Sequence, residues 1–229
     1  GRVRAAGKAG DIEGLIGPAT RVIDLGGRLA TPGLNDSHLH LIHYGRLAAM
    51  VDARPAEAPT LASLLEKIRA RAKSLAPGQW VTARGYDQTK LDVKRHPFRE
   101  ELDQASPDHP VMLVRTCGHV AVCNSLALSL AGITEQTPVP VGSLIEQQNG
   151  RLTGLLAENA LQLAYGAQPA LTDDDLVTAI ATGGRKLLSY GITSCMEAAT
   201  GMLAVLPVIT LVFVLNRYIV RGLVEGVKY

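Results

Sequence analysis

The chain is poor in cysteine, with Cys117, Cys123 and Cys195 only and no CxxC pair among them. An odd set without that spacing argues against a disulfide framework and against a cysteine-held structural zinc, and it fits a reducing compartment. Charge of one sign is lacking too. Lys and Arg total 23 against 21 Asp and Glu, a net charge of +2. The two signs are interspersed, so no basic face for nucleic acid and no acidic tail is visible, and no nucleic-acid partner is expected. Residues 1–17 mix charge and glycine without an apolar core, so they do not read as a signal peptide, and a cytoplasmic location is expected. Histidine is absent after His119.

What is present is enough for a real core: 229 residues, 47% hydrophobic, compatible with one large domain or two small ones. Arg2 to Ala6 and Arg21 to Leu25 read as short strands, with Gly26 and Gly27 as a turn, together a small β element. Leu61 to Leu75 is the clearest helix, with Leu61, Leu64, Leu65, Ile68, Ala72 and Leu75 on one face, Thr60 as its cap and Pro77-Gly78 as its stop. Trp80 to Arg84 and Val111 to Arg115 read as strands, and Phe98 to Ala105 as a short helix after Pro97. Ser125 to Ala131 reads as a helix closed by Gly132, and the apolar stretch Leu152 to Leu163 is left open between helix and strand. Thr172 to Tyr190 is a second clear helix. Thr172 and Asp175 form a capping box, three aspartates sit at its positive end, Arg185 and Lys186 sit near its negative end, and Gly191 can close it. Ile192 to Met196 follows as a strand. Alternating strands and helices predict an α/β fold, with a (β/α) barrel as the guess, whose chemistry would sit at the C-terminal strand ends.

One short run bears on chemistry. In PGLNDSHLHL, Pro32 to Leu41, a strand period of two puts His38 and His40 on the same side, about 7 Å apart along the backbone. Imidazole binds zinc-like ions as a neutral donor, so the pair suits two ligands of one metal. Histidines that cap or pack a strand end would look the same.

Around this run the sequence resembles a known family. RVIDLGGRLATPGLNDSHLHL is similar to the barrel entry of the metal-dependent amidohydrolase superfamily. The blocks GYDQTK, RHPFREELDQASPDHPVMLVRTCGHVAVCNSLALSLAGI, GRLTGLLAENA and LLSYGITSCMEA look, in the same order, like its amidohydrolase-3 branch. The resemblance covers Gly1 to Ala199. It implies an incomplete (β/α)8 TIM-type barrel preceded by a truncated small β element. It further implies a divalent metal, expected to be zinc, and a water activated by it that hydrolyses a non-peptide carbon–nitrogen bond of a small amide or cyclic amide.

By the same resemblance, His38 and His40 match the first two metal ligands. Asp36 could hold one of their imidazoles from the second shell, or it is a turn aspartate. His119 and Asn124, in GHVAVCNS, match a block that faces the site and would contact substrate, although an Asn before a helix is also a preferred cap. Glu158, in GLLAE, could add a carboxylate to the metal site or lie on a solvated helix face. His43 matches no ligand and reads as a loop histidine. Cys117 and Cys123 read as buried small hydrophobes.

The family takes its remaining histidine ligands and its catalytic aspartate from the later barrel, and this chain has no histidine after His119 and no aspartate after Ala199. Two imidazoles fall short of the three protein ligands plus water of a catalytic zinc. Catalysis by the chain alone is therefore not expected from these residues. Ala198 to Leu215 instead holds eighteen uncharged, mostly apolar residues. As a helix they would run about 27 Å against a bilayer core of about 30 Å. The tail, through LNRYIVRG, resembles the last transmembrane helix of sugar-type ABC transporter permeases. A buried helix or an apolar strand pair is the alternative. The expected organisation is thus a truncated β element at 1–31, a partial barrel at 32–199 and a hydrophobic helical tail at 200–229. Membrane contact would run through residues 198–220, and an uncovered barrel edge would favour oligomers. The competing reading is a non-catalytic fusion or remnant, membrane-associated through that tail.

Overall fold

The computed structural model describes residues 3–198. The segment before the histidine run carries only a single helical turn, α1 (Ala9–Ile12), and a 3₁₀ turn at Glu13–Leu15. Among the described residues, no strand forms at 3–6, within the stretch expected at Arg2 to Ala6, or at Arg21 to Leu25. Val22 and Ile23 are mostly exposed, and two isolated short strands have no third partner over which to bury a face.

The histidine run builds β1 (Leu34–Leu39), followed at once by α2 (Leu41–Ala49). Then come β2 (Val51–Asp52), α3 (Leu61–Ala72), β3 (Val81–Tyr86), α4 (Arg99–Ala105), β4 (Val111–Arg115), β5 (Val120–Cys123) and α5 (Ser125–Leu130). β6 (Leu144–Gln148), β7 (Arg151–Ala157), α6 (Leu161–Gly166), α7 (Asp173–Ser189) and β8 (Ile192–Glu197) complete the described residues. The open stretch Leu152 to Leu163 is thus strand first and helix second, which is why one period could not describe it.

The helices start where their caps dictate. The Thr60 hydroxyl accepts from the Ser63 N–H at 3.1 Å, and the Thr172 hydroxyl from the Asp175 N–H at 3.2 Å. α3 buries Leu61, Leu64, Ile68 and Ala72 and ends one turn before Leu75.

The strands do not form one barrel wall among the described residues. They divide into a six-stranded sheet in the order β2-β3-β4-β5-β7-β6 and a separate pair, β1-β8. β2, β3 and β4 run parallel, whereas β4-β5, β5-β7 and β6-β7 are antiparallel. Antiparallel neighbours cannot be consecutive strands of a (β/α)8 wall, so β3 and β4, expected as barrel strands, belong to a different sheet. Both faces of that sheet are covered. Val111 and Leu113 of β4 join a core with Leu64, Ile68 and Leu102, while Met112 and Val114 join a second core with Leu128, Leu156 and Leu161. Burial on both sides explains the unbroken apolar run of β4.

β1 and β8 pair in parallel, with Leu34 opposite Ile192 and Leu39 opposite Glu197. α2 and α7 pack together beside them around Leu41, Ile180 and Leu187. Their approach is backbone to backbone, because a Cβ on Gly45 would lie 1.8 Å from the Ala179 carbonyl oxygen. Only glycine permits this seat for α2, and α2 begins directly after His40. No helix among the described residues is long and apolar enough to cross a membrane. The span expected at 198–220 lies outside the described residues apart from Ala198.

Candidate functional site

His38 sits near the C-terminal end of β1 and His40 is the residue that caps α2. The pleat and the sharp turn into α2 bring both rings to one side, 5.3 Å apart between centroids and edge to face. Both side chains are exposed. At the adjoining strand end, the Glu197 carboxylate lies 3.7 Å from His40 Nδ1 and accepts from the Ile42 N–H at 3.1 Å. Glu197 is therefore fixed across the β1-β8 ladder and against the start of α2. Sequence reasoning missed it. The available signal was an acid at the end of a strand expected to be parallel to the histidine strand.

Asp36 lies within β1, and its Oδ1 accepts from the His38 backbone N–H at 3.0 Å. His43 is not a loop residue but lies on α2, with Nε2 3.3 Å from the Arg84 guanidinium. Desolvation, Arg84, Arg46 and His40 together hold its imidazole below the usual histidine range.

His119 and Glu158 form a second cluster. They are 39 residues apart and meet because β5 pairs with β7, with Val120 opposite Ala157. The Glu158 N–H donates to the His119 carbonyl at 2.9 Å, and His119 Nδ1 donates to Glu158 Oε2 at 3.0 Å. Glu158 has φ +56, left-handed for a residue with a Cβ, a conformation that persists only when its surroundings enforce it. The hydrogen bond and the charge of Glu158 raise the His119 pKa. A folded-state pKa raised above the unfolded one means that the pair's contribution to stability is fully present below the unfolded value and is lost as pH rises through the folded one. Glu158→Gln is expected to move the His119 titration midpoint down toward the ordinary histidine value, read from its imidazole proton shifts by NMR. An unchanged midpoint would show that the two side chains do not interact.

Asn124 is fully buried, and its amide is saturated by backbone. Oδ1 accepts from Val111 N at 2.8 Å and Ala127 N at 3.0 Å, and Nδ2 donates to the carbonyls of Ser106 and His109. It has no donor left for a substrate, so the expected substrate contact is replaced by a capping role. Cys123 is buried as expected, but Cys117 is exposed. Desolvation pushes the Cys117 thiol up, while a hydrogen bond from Arg115 and the N–H groups of His119 and Val120 outweigh it, so the net shift is downward.

The fit to a metal is partial. Two edge-to-face imidazoles beside a carboxylate suit one cation, but the described residues contain no group of three His, Cys, Asp or Glu side chains able to hold an ion. Glu158 is engaged with His119 and does not join His38 and His40 in such a group.

These features define a class, an α/β chain with a histidine pair, His40 of which lies beside a carboxylate, at the carboxyl end of a parallel strand pair. Residues 21–209 match the model of the amidohydrolase family, ending beyond the boundary expected at Ala199. The N-substituted formamide deformylase of Arthrobacter pascens is 34% identical over 168 residues, 73% of this chain and 31% of that protein. Protein LONG AFTER FAR-RED 3 of Arabidopsis thaliana is 30% identical over 198 residues, 86% of this chain and 33% of that protein. The crystal structure of an uncharacterized metal-dependent hydrolase from Pyrococcus furiosus aligns with a TM-score of 0.56 at 30% identity, covering 79% of this chain and 34% of that one. The chain belongs to the amidohydrolase family. It spans about one third of the length of these relatives.

Proposed function

We propose that the chain contributes the first two ligands of a divalent metal site, expected to be zinc, in a hydrolase of non-peptide carbon–nitrogen bonds. The observation that carries this reading is the His38–His40 pair, edge to face beside Glu197 at the end of β1 and β8. Family membership and the likeness to a metal-dependent hydrolase support it. The relative named as an N-substituted formamide deformylase supports a small amide as the substrate class. When bound, the ion would supply Lewis acidity and a water of lowered pKa. His38 and His40 would hold it, Glu197 would steady the His40 ring, and His119 with Glu158 would form a substrate-side proton donor and its partner. In this reading the chain is a partial barrel that does not itself supply the remaining histidine ligands and catalytic aspartate of the family.

The lack of a three-ligand group among the described residues favours a second reading, a metal-binding remnant that does not turn over alone. One experiment separates them. After reconstitution with zinc and dialysis, the 229-residue chain is expected to retain about one ion per molecule. Release of amine from an N-substituted formamide, in a reaction that a chelator abolishes, selects the hydrolase reading. Zinc retention without hydrolysis selects the remnant, and failure to retain zinc overturns both.

A further inference from the structure

A cavity of about 870 Å³ opens between α2, α7 and the sheet edge at β2 and β3. Its charge is one-sided. Arg84 of β3, Arg54 of the loop after β2, and Arg185 and Lys186 of α7 line it, against the single carboxylate of Asp52. That carboxylate is already taken, because Arg54 Nε lies 2.9 Å from one of its oxygens and 3.1 Å from the other. Arg84 forms no ion pair among the described residues, and its hydrogen-bond partner there is the His43 ring, which carries no negative charge. Lys186 lies over the Tyr190 ring at 4.8 Å, and Arg185 forms no ion pair among the described residues. Three positive charges thus face one concave space without an anion, where low-dielectric walls concentrate their field.

The cations come from two elements, Arg84 from β3 and Arg185 and Lys186 from α7, and Leu47, Met50 and Val51 also line the space. A planar guanidinium fork matches a carboxylate, and cations on two separate elements suit a molecule with a carboxylate at each end. We propose that this cleft binds a small aliphatic dicarboxylate, one carboxylate at Arg84 and the other at Arg185 and Lys186, with its methylenes against these apolar residues. The proposal does not rest on the metal reading.

The test is calorimetric titration of the 229-residue chain at low ionic strength with succinate and, separately, inorganic phosphate. Succinate is expected to bind, and Arg84→Gln and Arg185→Gln are each expected to weaken it about tenfold, the loss of one charge-assisted pair. Arg71→Gln, on exposed α3 surface, is expected to leave it unchanged. Arg185 is itself exposed, so its substitution reads binding even where Arg84→Gln disturbs β3. Equal weakening by Arg71→Gln, or indifference to both cleft substitutions, overturns the proposal. Phosphate binding as tightly as succinate overturns the dicarboxylate assignment.

Discussion

Replacing His38 and His40 together by alanine is expected to strip the chain of its divalent ion, lowering apparent zinc affinity by more than about 100-fold, while leaving the fold intact. The magnitude follows from a comparison: loss of a partner that only orients a ligand costs about 10–100-fold, and here both imidazole donors go. The fold should survive because both side chains are exposed, and substitutions at such positions change stability by about 0.5 kcal/mol or less. The one ion pair removed, His40 with Glu197 at 3.7 Å, has its imidazole about half exposed and contributes little. Metal content by elemental analysis and melting temperature with and without zinc check both halves. Wild type should melt higher with zinc present, since an ion bound only by the folded state stabilises it, and the variant should not respond. Zinc content unchanged in the double variant would remove the metal reading, because the ion would then be held without either proposed imidazole.

Local signals were legible in the sequence and long-range ones were not. Thr60 and Thr172 announce their helices because a cap is read from residues three apart, and both caps form. The HxH spacing predicts two rings on one side, and they are. Topology is another matter. The apolar run of β4 looks the same in a barrel wall as in a mixed sheet covered on both faces, and only the antiparallel partners β5 and β7 distinguish them. The same gap hid the site's cross-chain contacts. Glu197 reaches His40 through a ladder joining residues more than 150 apart, and Arg84 reaches His43 from a different sheet. No periodicity encodes either meeting. Residues 21–25 fail in the opposite sense, with strand-favouring Val22 and Ile23 but no neighbouring strand to pair with, so their local preference has nothing to stabilise it.

Asn124→Ala is expected to cost about 4 kcal/mol of folding stability, the largest loss from any polar side chain considered. The side chain uses its full capacity of two acceptor and two donor bonds in a site closed to water. Alanine would remove the α5 cap, worth about 1 kcal/mol, and would strand the Val111 N–H at the first residue of a buried strand, at about 1–3 kcal/mol. It would also leave the carbonyls of Ser106 and His109 short of a donor, and the small cavity would add to the loss. Asn124→Asp discriminates further, because it keeps both accepted N–H bonds but turns a carboxylate toward two carbonyl oxygens. It should therefore destabilise despite near-identical shape. Urea unfolding should show a lower midpoint at unchanged slope for both variants. Zinc retention should persist wherever the variants remain folded, since Asn124 follows β5 of the six-stranded sheet and the histidine pair lies at the end of β1 in the two-stranded one. A loss under about 1 kcal/mol would mean that the four bonds are not made, and would return Asn124 to the set of residues able to contact a substrate.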